Sequence, residues 1–251
     1  NYTGPKETSE VLVKHQKNKE AKIYDAGCGT GLVGVELKKH GFSNFYGADL
    51  SQKLLDLVPK DLYQKLSKDG QSPKFLVISC CDSRVDPAHI MNTAPGELFI
   101  VRNIANLVPV SNSDENLNCT NAAIEFAVKH LKVKHIIVFG HSQCGGIKAL
   151  MEGNHPNDNY SFIDPWVELF ESVKEKILEE HEKKSFNEQC SYCERACIEA
   201  SLNNLMTFPW IKEKCNSGDL AIHGWYFEIE TGRLLGKENG EFIPVSKLKL
   251  N

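Results

Sequence analysis

Two short runs concentrate the residue types that bind metals and move protons. In "ISCCDSRVDP", residues 78–87, adjacent cysteines precede an aspartate and an arginine; in "GHSQCGG", residues 140–146, a histidine stands three places before a cysteine. On an extended backbone alternate side chains share a face, so Cys80, Asp82 and Arg84 are expected on one side, with Cys81 and Ser83 on the other. His141 and Cys144 are spaced so that an imidazole and a thiolate can converge on one ion, with Cys80 as the third ligand. Two thiolates, one imidazole and an open position describe a catalytic zinc site better than a closed structural one. Water admitted at that position would have its pKa brought to about 7 by Zn2+. Two thiolates cancel the ion's formal charge, so hydroxide should form less readily than at an all-histidine site, and higher pH should favour activity. Asp82 has two roles open to it: fourth metal ligand, or acceptor of a hydrogen bond from zinc-bound hydroxide. A bidentate pair with Arg84 would hold it off the metal. Taken singly, His141 reads as a core or capping histidine and Asp82–Arg84 as an ion pair. The joint pattern points to a metal site with a task.

The elements that must carry these runs are legible in the apolar patterning. "PKFLVISC", "GELFIVRN" and "VKHIIVFGH" are short continuous apolar strands, and "TNAAIEFAVKHLK" and "CGGIKALME" are amphipathic helical stretches around the third. Strands without alternation, separated by helices, imply an α/β fold with a central, mainly parallel β-sheet flanked by helices. In such sheets sites lie beyond the carboxyl ends of strands, where both runs fall. "DPWVELFESVKEKILEEHEKK" and "CERACIEASLNNLMTF" predict two further helices. "LAIHGWYFEIETGRLLG" alternates and turns at Thr231–Gly232, which predicts a hairpin at the sheet edge.

The opening differs in kind. "AKIYDAGCGTGLVGVELKKHG" reads as strand, glycine-rich turn and helix, followed by a strand in "NFYGADL" that ends in Asp49. Gly27, Gly29 and Gly31 would let backbone N–H groups approach a ligand at the helix N-terminus. Asp49, 18 residues after Gly31, stands where such half-sheets place a carboxylate against ribose hydroxyls. The run "DAGCGTG" resembles the first motif of class I methyltransferases, which implies a short Rossmann-like fragment with an S-adenosylmethionine site over about residues 1–58. "SQKLLDLVPKDLYQKL" is a helical pattern interrupted at Pro59, and the expected division is 1–58 and 59–251.

Over the second part, "CCDSRVDP", "PGELFIVRNIANLVP", "GHSQCGGI", "SLNNLMTFPWI" and "HGWYFEI" together resemble a beta-class carbonic anhydrase, from about residue 61 to 246. The resemblance implies reversible hydration of carbon dioxide to bicarbonate and a proton by zinc-bound hydroxide, in a homodimer or homotetramer. Carried onto this chain, it gives zinc to Cys80, His141 and Cys144, and makes Asp82 and Arg84 a catalytic dyad. It also turns the backbone N–H groups of Gly145 and Gly146 toward bicarbonate. Arg102 matches a residue that holds a regulatory bicarbonate in some bacterial members, but Val77 stands where those carry Trp.

Composition narrows the alternatives. The 251 residues are 41% hydrophobic and 25% charged with a net charge of -4, which is ordinary for a globular protein and leaves no basic footprint for nucleic acid. No apolar run nears the roughly 20 residues of a membrane span, and "NYTGPKETSE" lacks a secretory profile. Nine cysteines, an odd number, suggest a reducing compartment, cytoplasmic or organellar, with some thiols used as ligands. Cys190, Cys193 and Cys197 are spaced for one helix face and read as packing, as do His223 and Trp225. Arg102 and Asn103 could line the site or meet a partner chain. Two further readings stand beside the enzyme: an S-adenosylmethionine-binding methyltransferase fragment, and a catalytically silent zinc protein.

Overall fold

The computed structural model describes residues 12–14, 16–20, 23–26, 32–43, 45–48, 60–111, 118–153 and 162–248. The chain forms two compact units, 1–70 and 71–251.

In the first unit, β1 (Ile23–Ala26), α1 (Leu32–Lys39) and β2 (Phe45–Ala48) follow in order. The strands pair in parallel, Ile23 opposite Phe45 and Ala26 opposite Ala48, which needs a crossover that α1 supplies. α2 (Lys60–Asp69) begins directly after Pro59, whose ring would break a longer helix. A wider Rossmann-type sheet is not found among the described residues. The expected ligand groups Gly27, Gly29, Gly31 and Asp49 lie outside them.

The second unit is built on one six-stranded sheet. Its elements run β3 (Phe75–Cys80), α3 (Pro87–Ile90), β4 (Leu98–Asn103), α4 (Cys119–Glu125), β5 (His135–His141), α5 (Gly145–Glu152), α6 (Ile163–Glu168), α7 (Glu171–Glu180), α8 (Phe186–Leu205), α9 (Pro209–Asn216), β6 (Ala221–Glu228), β7 (Arg233–Glu238) and β8 (Glu241–Pro244). The strand order is β4-β3-β5-β6-β7-β8, with β4 to β6 parallel and β6 to β8 antiparallel. The sheet is therefore mixed. β7 follows β6 through the expected turn, but this hairpin is not the edge, because β8 adds a further strand beyond it.

β3 and β5 are buried along almost their whole length, as their unbroken apolar sequences require. On one face Leu76, Ile78, Ile136 and Val138 pack against Ile124 of α4, Ile198 and Leu205 of α8 and Ile211 of α9. The other face gathers Val77, Ile137 and Phe139 around Val85. A third cluster joins Cys80, Leu107, Cys144, Ile147, Val167, Phe170 and Cys197. It brings α5 to α8 over the carboxyl ends of β3 and β5. The chain leaves β3 first toward β4 and later returns on its other side as β5. The reversal of strand order thus lies between β3 and β5, where open α/β sheets place their ligands.

Two helices differ from the sequence expectation. The run expected as one helix from Asp164 to Lys184 divides at Leu169–Phe170, and the turn buries Phe170 to 2% exposure against Val167 and Ile177. No Gly or Pro marks this break. α8 begins well before Cys193, because Ser185 and Glu188 close a capping box that sets the helix start at Phe186.

Candidate metal centre

Cys80 is the last residue of β3 and His141 the last residue of the neighbouring β5. Cys144 follows His141 across a two-residue turn and is the N-cap of α5. The turn works because Gln143 adopts φ 57, folding the chain back so that both side chains face the same space. The three ligand atoms lie within 4.8 Å of one another, and all three residues are buried. Among the described residues this is the one His/Cys/Asp/Glu grouping placed to close on an ion.

The donor set fits a metal. The two sulfurs are 3.9 Å apart, and Zn–S bonds of ~2.3 Å at a tetrahedral angle place two sulfurs about 3.8 Å apart. His141 Nδ1 faces the Ser142 carbonyl oxygen at 2.9 Å, which fixes the tautomer with the proton on Nδ1. Its Nε2 is buried without a hydrogen-bond partner, a lone pair aimed where an ion would sit. Cys80 is held well below the ordinary thiol range, first by the hydrogen bond from Cys144 and then by His141. Cys144 is correspondingly pushed up by that bond to Cys80 and by burial. The two shifts run in opposite directions because one thiol bonds to the other, and a cation between the sulfurs would favour both as thiolates. Burial pulls His141 down, but the Cys80 sulfur and the Ser142 carbonyl outweigh it and raise its pKa.

Asp82 and Arg84 form a bidentate pair. Arg84 Nε donates to Asp82 Oδ1 at 3.0 Å and Nη2 donates to Oδ2 at 2.8 Å. Their meeting follows from a turn, since β3 ends at Cys80 and the Arg84 N–H also donates to Asp82 Oδ1 at 2.9 Å. The extended run expected through Arg84 is not present. Arg84 also donates from Nη2 to the Gln143 carbonyl oxygen at 3.0 Å, so one guanidinium ties the β3 turn to the turn carrying Cys144. The guanidinium holds the Asp82 carboxyl far below the usual carboxylate range. Asp82 Oδ2 stands 3.9 Å from His141 Nε2.

Gly145 and Gly146 open α5 and differ in their surroundings. A Cβ on Gly146 would come within 2.6 Å of Ile104 Cγ2 and 2.9 Å of Ala105 Cβ, whereas one on Gly145 would meet nothing within 4 Å. The N–H groups of Ile147 and Gly146 turn toward the Cys144 sulfur and favour its thiolate, without closing a capping hydrogen bond.

Two residues brace the site: Arg102, which the sequence singled out without this role, and Glu194, which it did not single out. Arg102 donates from Nε to the Cys80 carbonyl oxygen at 2.8 Å and from Nη2 to those of Asp82 and Val85 at 2.7 and 2.8 Å. Glu194, 5% exposed on α8, accepts from the Cys144 N–H at 3.0 Å and from the Tyr226 hydroxyl at 2.6 Å. The sequence placed Arg102 near the site, as a candidate lining or bicarbonate-holding residue, but not its backbone partners, which here take up its Nε and Nη2. Cys193 and Cys197 lie in the core with their sulfurs 3.9 Å apart, and His223 pairs with His135 rather than with the site.

A family model described as carbonic anhydrase matches residues 75–234. Beta carbonic anhydrase 5, chloroplastic, of Arabidopsis thaliana is 47% identical over 167 residues, covering 66% of this chain and 54% of that protein. Beta carbonic anhydrase 3 of Arabidopsis thaliana is 39% identical over 203 residues, covering 80% of this chain and 76% of that protein. The chain thus spans about half the length of the first relative and three quarters of the second. Among solved structures, the beta-carbonic anhydrase CcaA superposes with a TM-score of 0.70 at 33% identity, covering 74% of this chain and 82% of that one. One of two tetrameric beta-carbonic anhydrases from Sordaria macrospora gives 0.62 at 35% identity, covering 72% and 87%. The methyltransferase-like opening lies outside the matched family segment. With its parallel strand ends converging Cys80, His141 and Cys144 beside a bidentate Asp82–Arg84 pair, the chain belongs to the beta carbonic anhydrase family.

Proposed function

We propose that this chain is a zinc-dependent carbonic anhydrase, interconverting carbon dioxide and water with bicarbonate and a proton. The observation that carries this reading is the buried Cys80–His141–Cys144 cluster under a carboxylate fixed by Arg84. Two thiolates with an imidazole are a donor set that selects zinc. Zinc held by these residues supplies Lewis acidity, which brings the pKa of water toward neutrality and makes a hydroxide nucleophile available.

Asp82 would accept a hydrogen bond from that nucleophile and so orient it toward carbon dioxide. Both of its oxygens are paired with Arg84, which favours this acceptor role over metal ligation. Arg84 keeps the carboxylate ionised, so that it acts as an acceptor throughout the working pH range. Gly145, with open space at its Cα, would offer its N–H to bicarbonate; Gly146, the other glycine expected there, turns its N–H toward the Cys144 sulfur. Residues 59–251 form the catalytic domain, and the assembly is a homodimer or homotetramer, as the tetrameric Sordaria relatives support. Among the described residues no helix is long and apolar enough to cross a membrane. Eight of the described cysteines are free, in keeping with the reducing, cytoplasmic or organellar setting proposed.

Parallel β1 and β2 are compatible with nucleotide binding through Gly27, Gly29, Gly31 and Asp49, but the matched family segment, residues 75–234, does not include them, and hydration is the function assigned. Exchange of 18O between labelled carbon dioxide and water, followed by mass spectrometry, tests it. The zinc-loaded protein should deplete the label far faster than buffer, and Cys80→Ser should not. Zinc retained at one ion per chain with no exchange would replace the assignment with that of a silent zinc protein.

A further inference from the structure

Glu194 is a buried carboxylate that the hydration reaction does not consume. It reaches from α8 to the chain segment between the two ligands on the β5 side. One oxygen accepts from the backbone N–H of Cys144 at 3.0 Å, and the other accepts from Tyr226 Oη on β6 at 2.6 Å. Tyr226 is 1% exposed, its hydroxyl is also approached by Ser191, and its ring lies 4.3 Å under the Arg195 guanidinium. The carboxylate is therefore held at both ends on the wall of a cavity lined also by Cys144, Ser191 and Arg195, and at 5% exposure an unpaired acceptor there would be costly.

The position of the clamp matters. Cys144 caps α5 but makes no side-chain capping hydrogen bond, since its sulfur is turned toward Cys80 and His141. Its backbone N–H would otherwise be left without an acceptor where the chain leaves the left-handed Gln143. Glu194 takes that N–H and so fixes the rotation of the Cys144 backbone, which sets the direction in which the sulfur points. Arg84 holds the same turn from the opposite side, through the Gln143 carbonyl.

We propose that Glu194, anchored by Tyr226, is a positioning residue that aims the Cys144 sulfur at the metal. This rests on the zinc reading of Cys80, His141 and Cys144. The carboxylate is not among the grouped metal-ligand candidates and acts through the Cys144 backbone. Residues that orient ligands in this way change metal affinity by about 10- to 100-fold when removed.

The test is zinc affinity by chelator competition on the full chain, with the cobalt-substituted protein read by its sulfur-to-cobalt charge-transfer band. Glu194→Ala should raise the zinc dissociation constant about 10- to 100-fold and shift or weaken that band. Glu194→Gln, which keeps an oxygen for the Cys144 N–H, should recover most of both. Tyr226→Phe, which removes one anchor and leaves the other, should fall between. A residue needed for packing alone would lower thermal stability and leave the cobalt band of the folded protein unchanged. Wild-type affinity and an unchanged band in Glu194→Ala would overturn the proposal. Should Glu194→Ala fail to fold, the same result in Tyr226→Phe overturns it. A wild-type chain that retained no zinc would overturn the metal reading, and this inference with it; zinc bound equally by wild type and variant overturns this inference alone.

Discussion

Both oxygens of Asp82 face Arg84, and the same guanidinium reaches the Gln143 carbonyl. The carboxylate is therefore an acceptor of fixed direction beside the ligand cluster. Asp82→Asn keeps the size of the side chain and removes the charge that pairs with Arg84. We expect it to retain zinc and to lose turnover by about 100-fold, as for a positioned proton acceptor. Full turnover with zinc in place would remove Asp82 from the chemistry. The three ligand candidates were legible in the sequence because cysteine and histidine at the ends of predicted neighbouring strands are rare without a task. The bracing roles of Arg102 and Glu194 were not, because the groups they hold at the site are backbone groups. Arg102 acts on carbonyls of residues 80, 82 and 85, and Glu194 on an N–H fifty positions away. Residue type alone does not announce such contacts.

The start of α5 ties local geometry to packing. Gly146 lies against Ile104 and Ala105, with Ala105 itself at φ 64 in a buried turn, so the two segments are pressed together with no room for a methyl group. Gly146→Ala should destabilise the fold by about 1–3 kcal/mol, the usual cost of overpacking, while Gly145→Ala should cost far less. Urea denaturation of the two variants checks this, and equal losses would contradict it. A second element pair couples to pH. His135 opens β5 and His223 lies on β6, with Nδ1 of the first 3.1 Å from Nε2 of the second. Burial lowers both pKa values, and His135 lowers that of His223 further. The unfolded chain takes up protons near pH ~6.5 while the folded pair resists. Its contribution is thus fully present above that pH and is lost as pH falls through the lower folded values. From about pH 7 to about pH 5, wild-type stability should fall more steeply than that of His223→Gln. Parallel curves would count against the pair. The strands were readable from their unbroken apolar runs. The break at Phe170 and the third antiparallel strand β8 were not, since one is set by a buried ring in tertiary contact and the other by four residues with weak alternation.

Taken whole, the second unit presents its candidate metal ligands from β3, β5 and the first residue before α5, elements that meet only in the folded chain. Metal bound there would then add to folding stability. At free zinc about 100 times the dissociation constant the gain is about 2.7 kcal/mol, so a chelator should lower the unfolding midpoint and added zinc restore it. An unfolding midpoint indifferent to zinc would speak against a site built by the fold. The parallel arrangement and the reversal point between β3 and β5 follow from the order of apolar strands and helices, which is why the α/β architecture could be anticipated. The mixed character of the sheet follows from its last two strands. Stopped-flow carbon dioxide hydration by the zinc-loaded protein across pH, with Cys80→Ser beside it, bears on all of this at once. Hydration that requires zinc, rises with pH and vanishes in Cys80→Ser is the expected result. No hydration at any pH, from a protein carrying one zinc per chain, would contradict the account.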